Sequence, residues 1–144
     1  NINDAFMDEI KDIDWCNSYK TNVGAKMSAW DMKSDNITNI FEWVESLLYQ
    51  TFPDLSPNFY TLHEAWYAKY DEGDRTKVHD HRFLPWSFVY FIKSPPGSSS
   101  LYFPTSNKEI TPDEGRIVVF PGNIEHYVPE NKSNGRIVLV GNLK

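Results

Sequence analysis

Three of the four histidines in this 144-residue chain fall in short strand-like segments beside turns. His79 and His81 form a His-x-His pair, and His126 follows much later in the chain. Alternate residues of a strand share a face, so the paired rings lie side by side while Asp80 points away. An isolated His-x-His pair is more often two half-exposed edge residues, so the interpretation depends on the surrounding sequence.

Two adjacent imidazoles form half of a metal site. A third ring arriving from a distant strand closes a facial arrangement that leaves coordination positions open. The pattern therefore predicts that His79, His81 and His126 bind one divalent metal. Imidazole donors suit iron, zinc, copper and nickel alike.

The predicted strands begin at Leu62, where short β-branched and aromatic runs alternate with Gly, Pro, Asn and Ser. We expect strands over residues 62–70, 78–81, 86–93, 100–103, 116–120, 125–128 and 136–142.

Two helices are predicted before these strands. Apolar residues recur at helical spacing over positions 2–13 and, more strongly, over positions 37–48. Asp35 is the expected N-cap of the second helix, and Pro53 ends it. Helices followed by many strands indicate an α+β, mainly β, or barrel architecture in which the helices buttress a sheet.

Length and composition predict one domain. The 144 residues, of which 40% are hydrophobic, match the usual size of a single domain with one core. We expect it to span residues 1–144, with a helical part over about 1–55 and a β part over about 60–144.

Charge and cysteine content bound the partners and the compartment. The net charge of −6 is scattered, which gives no electrostatic footprint for nucleic acid or for an anionic membrane. No apolar run approaches the roughly 20 residues needed to span a bilayer. Cys16 is the single cysteine, which excludes an intrachain disulfide and a Cys-rich zinc site. We expect a reduced, cytoplasmic protein whose partner is a small molecule or a protein segment.

Three ordered stretches of the later sequence carry a further pattern. Residues 70–81 read YDEGDRTKVHDH, residues 100–104 read SLYFP and residues 114–121 read EGRIVVFP. Their order and spacing, from Leu62 to the C-terminus, resemble the prolyl 4-hydroxylase-like 2-oxoglutarate- and Fe(II)-dependent oxygenases. The likeness is closest to a short branch of these enzymes in which the first ligand pair reads His-x-His.

The resemblance implies a double-stranded β-helix, the jelly roll shared with cupins, in which the three histidines hold Fe(II). It implies 2-oxoglutarate as cosubstrate, with Arg136, ten residues beyond His126, pairing with its far carboxylate. The rigid guanidinium fork suits that bidentate contact. Tyr70 and Tyr90 are candidates to hydrogen-bond 2-oxoglutarate or to line its pocket, and packing in the core is the alternative for both.

The implied activity is hydroxylation of a C–H bond of a protein residue or a small metabolite, with release of succinate and CO₂. This chain departs from the family because His81 stands where a carboxylate ligand is usual. Two alternatives therefore stay open: a cupin-like three-His protein, either a dioxygenase independent of 2-oxoglutarate or an isomerase, and a non-catalytic binding module.

Residues around the metal ligands are also candidates. Glu64 and Glu125 are candidates to support the ligands, although most such glutamates are solvated. The substrate is not readable, since the aromatic residues near the predicted mouth suit a ring, a peptide or simple packing. These aromatic residues are Trp66, Tyr67, Phe83 and Trp86.

Overall fold

The computed structural model describes residues 1–17 and 23–144, and within them antiparallel strands predominate. Helix α1 is Ile2–Glu9, continued by a 3₁₀ turn at Ile10–Asp12, and helix α2 is Asp35–Thr51. The strands are β1 Cys16–Asn17, β2 Val23–Gly24, β3 Lys26–Met27, β4 Leu62–Tyr70, β5 Arg75–Thr76, β6 Trp86–Lys93, β7 Leu101–Phe103, β8 Lys108–Ile110, β9 Ile117–Pro121 and β10 Arg136–Leu143.

Helix α2 begins one residue earlier than the sequence indicates. Ser34 is its N-cap, because the Ser34 hydroxyl oxygen accepts a hydrogen bond from the backbone N–H of Ile37 at 3.1 Å. Asp35, the predicted cap, is instead the first helical residue, where its charge favours the helix dipole. The helix ends at Thr51, with Phe52 as its C-cap, before Pro53 as predicted. Neither helix is long and apolar enough to cross a membrane, and no other helix of the described residues is.

The main sheet places β10 at its centre. Its strand order is β1-β3-β4-β10-β6-β9, with β10 antiparallel to both β4 and β6. Both faces of the sheet are buried. Helices α1 and α2 cover one face around Tyr67, Phe88 and Leu139, and the short strands cover the other around Trp66, Phe91 and Val138.

The covering layer of short strands is held together by isolated bridges as well as by β-pairs. β2 pairs with β5 and β7 pairs with β8. Between these pairs, Thr76 is hydrogen-bonded to Val128 and Tyr102 forms a bridge with Tyr127. His79 and His126 exchange both backbone hydrogen bonds, at 3.0 and 2.9 Å. Segments 78–81 and 125–128, predicted as strands, therefore pair only locally.

Candidate metal centre

The three histidines converge at one point between the main sheet and the covering layer. One candidate ligand atom from each of His79, His81 and His126 lies within 4.8 Å of the other two. The ring centroids are 4.4 Å apart for His79 and His126 and 4.9 Å apart for His81 and His126. His126 is 4% exposed, and the other two rings are half-buried. The cluster is large enough for one ion.

Backbone pairing positions the three side chains. The bridge between His79 and His126 aligns two ligand segments that are remote in sequence. His81 follows in a loop. The backbone N–H of His81 donates to the carbonyl of Gly122 at 2.7 Å. A Cβ on Gly122 would lie 2.0 Å from the carbonyl oxygen of Leu84, so only glycine allows this loop to approach.

Hydrogen bonds fix the rings of His79 and His126. The Nδ1 atom of His79 lies 2.7 Å from the carbonyl oxygen of Lys77, and that of His126 lies 3.0 Å from the carbonyl oxygen of Ile124. A carbonyl only accepts, so in each neutral ring the proton is on Nδ1. Nε2 therefore carries the free lone pair, which is the usual arrangement of a metal-binding histidine.

His81 also carries its proton on Nδ1, but its hydrogen-bond partners are side chains. Its Nδ1 lies 2.7 Å from Oδ1 of Asn142 and 2.8 Å from the hydroxyl of Ser87. The Ser87 hydroxyl donates to the same Oδ1 at 2.6 Å, and Nδ2 of Asn142 donates to Glu64 at 2.8 Å. The Glu64 contact sets the amide orientation, so His81 donates from Nδ1 and presents Nε2. Sequence reasoning named Glu64 but missed Ser87 and Asn142, and Glu125 lies exposed.

Burial keeps the rings of His81 and His126 neutral. It lowers the pKa of His126 to about 3, and the nearby His79 ring acts in the same direction. Burial also lowers the pKa of His81, against an opposing contribution from its hydrogen bond to Asn142. Since metal binding requires deprotonated imidazole, both rings are in the competent state at neutral pH.

Arg136 lines the same cavity as the three histidines. Its side chain is 1% exposed, its Nε donates to the carbonyl of Ser99 at 2.9 Å, and its guanidinium lies 4.5 Å from the centre of the Tyr70 ring. Burial lowers the pKa of Arg136 and raises that of Tyr70. Both residues predicted to contact 2-oxoglutarate at this end therefore face the cavity.

One donor of Arg136 is unused. Its Nη1 is buried and has no hydrogen-bond partner among the described residues. None of the described residues that line the cavity is acidic. A buried charged N–H without an acceptor is costly, so the cavity has the chemistry to receive an anion at this point.

Tyr90 does not share this cavity, contrary to its predicted role. Side chains alternate along β6, so Val89 and Phe91 pack on the cavity side while Tyr90 packs on the helix side. Its ring centroid lies 5.6 Å from that of Phe6, and its hydroxyl is hydrogen-bonded to Asn3. Tyr90 is therefore a core residue that contacts α1.

The aromatic residues predicted near the mouth divide between the two faces. Trp66 lines the cavity and stacks on Trp30 with centroids 4.6 Å apart. Phe83 is fully exposed, with a φ of 71°, in the loop that follows the ligand pair. Tyr67 and Trp86 belong to the helix-side cluster and are not at the mouth.

An open groove of about 260 Å³ leads to the ligand pair. Trp30, Trp66 and Leu84 form apolar walls, and Asp80 and Arg82 pair at the rim with Nε and Oδ2 3.0 Å apart. The groove reaches His79 and His81, whereas His126 and Arg136 line the neighbouring cavity and not the groove.

Comparison with solved structures shows which fold this chain has. A prolyl 4-hydroxylase from Pseudomonas putida superposes with a TM-score of 0.76 at 18% identity, over 99% of this chain and 85% of the other. A viral collagen prolyl hydroxylase from Paramecium bursaria Chlorella virus-1, solved as its 2-oxoglutarate complex, superposes at 0.74 with 15% identity, over 99% and 88% of the two chains. The chain has the prolyl 4-hydroxylase fold.

The same fold relates it to a protein solved with a metal. HygX from Streptomyces hygroscopicus, with nickel and 2-oxoglutarate bound, superposes with a TM-score of 0.68 at 10% identity, over 99% of this chain and 77% of the other. No protein-family model matches the sequence, and no curated protein matches it. The resemblance predicted from the sequence is confirmed as one of fold.

Proposed function

We propose that this chain is a 2-oxoglutarate- and Fe(II)-dependent oxygenase that hydroxylates a C–H bond of a protein residue or a small metabolite. The observation that carries the proposal is one cavity that contains both the three-histidine cluster and the unpaired Nη1 of Arg136. In this proposal a metal and an anion would bind side by side in that cavity. We interpret the main sheet and the covering layer of short strands as a double-stranded β-helix.

The donor set fits the metal. His79, His81 and His126 would hold Fe(II) through Nε2, because each Nδ1 is already engaged. Three protein ligands leave positions open for a cosubstrate and O₂. Bound together, Fe(II) and 2-oxoglutarate supply the oxidising chemistry, with succinate and CO₂ as products.

The chain's own residues would bind and orient 2-oxoglutarate and shield the cavity from water. Arg136 would hold the far carboxylate of 2-oxoglutarate, with Tyr70 beneath its guanidinium plane keeping the fork in place. Apolar side chains such as Val89 and Val138 line the same cavity and keep water from it. The groove beside Trp30 would admit the substrate. We place the activity in a reducing, cytoplasmic setting, consistent with the single, exposed Cys16.

A second candidate follows from the position of His81. Because this ligand is an imidazole rather than a carboxylate, the site also suits a cupin-like three-His protein that works without 2-oxoglutarate. A chain that binds metal without turnover is the non-catalytic form of the same alternative.

Anaerobic titration of 2-oxoglutarate into the Fe(II)-loaded protein separates these functions. The proposal predicts a metal-to-ligand charge-transfer band in the visible range and, after O₂ is admitted, formation of succinate. His126→Ala is the control and should abolish both signals. Metal binding with neither a band nor succinate would favour the cupin-like or the non-catalytic alternative. Equal turnover by wild type and His126→Ala would exclude His126 as a ligand of the working metal.

A further inference from the structure

A row of polar side chains crosses the main sheet directly behind His81. Ser87 of β6 and Glu64 of β4 are the strand partners of Asn142 on β10, one on each side. Ser87 is 0% and Asn142 2% exposed. Buried polar groups of this kind are costly unless they are hydrogen-bonded, and here all three are bonded to one another.

The ring of His81 is hydrogen-bonded to this row through Oδ1 of Asn142. Both the Ser87 hydroxyl and the His81 Nδ1 lie within 2.7 Å of Oδ1 of Asn142. The amide cannot turn round, because its Nδ2 donates to the carboxylate of Glu64. His79 and His126 use backbone carbonyls for the same purpose, so His81 is the ligand that depends on side chains.

The row also brings a negative charge towards the metal. The carboxylate of Glu64 is joined to the His81 ring by two consecutive hydrogen bonds through Asn142. Partners of this kind orient a metal-ligating imidazole and raise its basicity. A negative charge of the kind that a carboxylate ligand would contribute at the position of His81 is thus present two residues further from the metal, behind His81 and Asn142.

We propose that Asn142 is a positioning residue that, held by Glu64 and Ser87, fixes His81 with its proton on Nδ1 and its Nε2 towards the metal. The inference rests on the metal-binding part of the proposed function and is independent of 2-oxoglutarate. It predicts that the row determines metal affinity and the tautomer of His81, including in the metal-free protein.

The test uses Co(II) as the probe and two readouts. Calorimetry and visible absorption give the Co(II) affinity, and ¹⁵N NMR of the metal-free protein gives the His81 tautomer. Asn142→Leu removes the acceptor at similar volume and should weaken Co(II) binding 10- to 100-fold, the usual effect of losing such a partner. It should also allow the Nε2-protonated tautomer of His81 to appear.

A second pair of variants separates the effect of the Glu64 charge from the effect of the Asn142 orientation. Glu64→Gln keeps an acceptor for Asn142 but removes the charge, so the tautomer should stay while Co(II) affinity falls less than tenfold. Glu109→Gln is the matched control, because this carboxylate on β8 accepts from Ser100 instead, and it should change neither readout.

If Asn142→Leu does not fold, a double variant that reverses the hydrogen bond between residues 142 and 64 provides the test. The double variant N142D/E64Q exchanges the donor and acceptor of one hydrogen bond and preserves the total charge. It should keep the Nδ1 proton on His81 and bind Co(II) at least as tightly as wild type. More than tenfold weaker binding by this folded variant, or wild-type affinity and tautomer in a folded Asn142→Leu protein, would overturn the inference. Failure of wild type to bind Co(II) would instead contradict the proposed metal site itself.

Discussion

At the scale of single residues, the site combines three neutral imidazole donors with the buried guanidinium cation of Arg136. Three imidazoles without charge leave a divalent ion uncompensated, and Arg136 adds a positive charge in the same cavity. An anionic cosubstrate is therefore favoured by both groups at once. The only acidic group joined to the ligands by hydrogen bonds is Glu64, among the residues that the structure describes.

Removing the guanidinium should separate cosubstrate binding from metal binding. Arg136→Gln deletes the charge that faces the cavity, and hydrogen bonds to a charged group are worth about 1.5–3 kcal/mol. We expect 2-oxoglutarate binding to weaken by roughly 10- to 150-fold while Co(II) affinity, measured without 2-oxoglutarate, does not fall, as measured by calorimetry. Arg116→Gln is the control, because that exposed arginine pairs with Asp113. Equal 2-oxoglutarate affinity in wild type and Arg136→Gln would contradict the assignment.

The buried ring of His126 should make stability depend on pH. Its pKa is about 3 in the folded protein against 6.5 as the ordinary value. Between these values the unfolded chain binds a proton that the folded chain does not, so the free energy of unfolding of the metal-free protein decreases as the pH falls from 6.5 towards 3. The full contribution is present above pH 6.5.

Denaturant titrations of wild type and His126→Gln over this pH range isolate the effect, because the two proteins differ in one titratable group only. The difference between their unfolding free energies should change by up to about 1.4 kcal/mol per pH unit. A difference that does not vary with pH would show that the ring is not buried in its neutral form.

Sequence patterns identified some site residues and not others for a physical reason. The spacing of His79, His81 and Arg136 carried their assignment, and all three line one cavity. Tyr90 was placed there wrongly, because an apolar strand buried on both faces does not reveal which face is the cavity. Asn142 gave no signal, since a polar residue at a strand end is usually solvated.

Among the elements, β10 connects the two ends of the site. Arg136 begins the strand and Asn142 lies near its end, so one central element positions the anion partner and the partner of His81. Strands β4 and β6 hold it on either side. The loop after the ligand pair is fixed separately, by its contact with Gly122.

That contact makes Gly122 the sharpest test of the loop. Gly122→Ala places a methyl group 2.0 Å from the carbonyl of Leu84 and 2.9 Å from that of His81. Such overpacking costs roughly 1–3 kcal/mol, and relief requires the loop to move. We expect lower thermal stability together with at least tenfold weaker Co(II) binding. A variant with wild-type metal affinity would show that the loop position does not determine the ligand geometry.

Helix α2 should affect stability alone. Ile40 is 1% exposed and packs on the sheet face opposite the histidines. Ile40→Ala should lower the unfolding free energy by about 2–5 kcal/mol, measured by chemical denaturation. Co(II) affinity of the folded variant should equal that of wild type, and this variant therefore serves as the control for Gly122→Ala. A loss of metal binding would mean that the two faces are coupled.

The long elements were predicted well and the short ones only in part, since β7 lies within the predicted range 100–103. Strands β4 and β6 match the predicted ranges 62–70 and 86–93, because long β-branched and aromatic runs carry strong patterns. The short strand β8 was missed, and the pairings in segments 78–81 and 125–128 were overestimated. The part predicted as helical also contributes β1 and β3 to the main sheet, through pairing that local sequence does not encode.

At the scale of the whole molecule, the main sheet separates the apolar core on its helix side from the candidate metal centre on its other side. Its helix side contains an apolar core that includes Phe6, Val44 and Leu143. Its other side contains the cavity with the histidines and Arg136. The fold class was predictable as mainly β with two helices, while the single-domain division stays a prediction. The convergence of ligands distant in sequence depends on tertiary pairing, which the histidine pattern suggested and the resemblance supported.

The central claim is that three imidazoles bind one metal inside this cavity. Crystals grown with Co(II) and 2-oxoglutarate, measured at the cobalt absorption edge, test it directly. We predict an anomalous peak between the Nε2 atoms of His79, His81 and His126, with a carboxylate of 2-oxoglutarate against Nη1 of Arg136. A peak elsewhere, or none among the three rings, would contradict the claim.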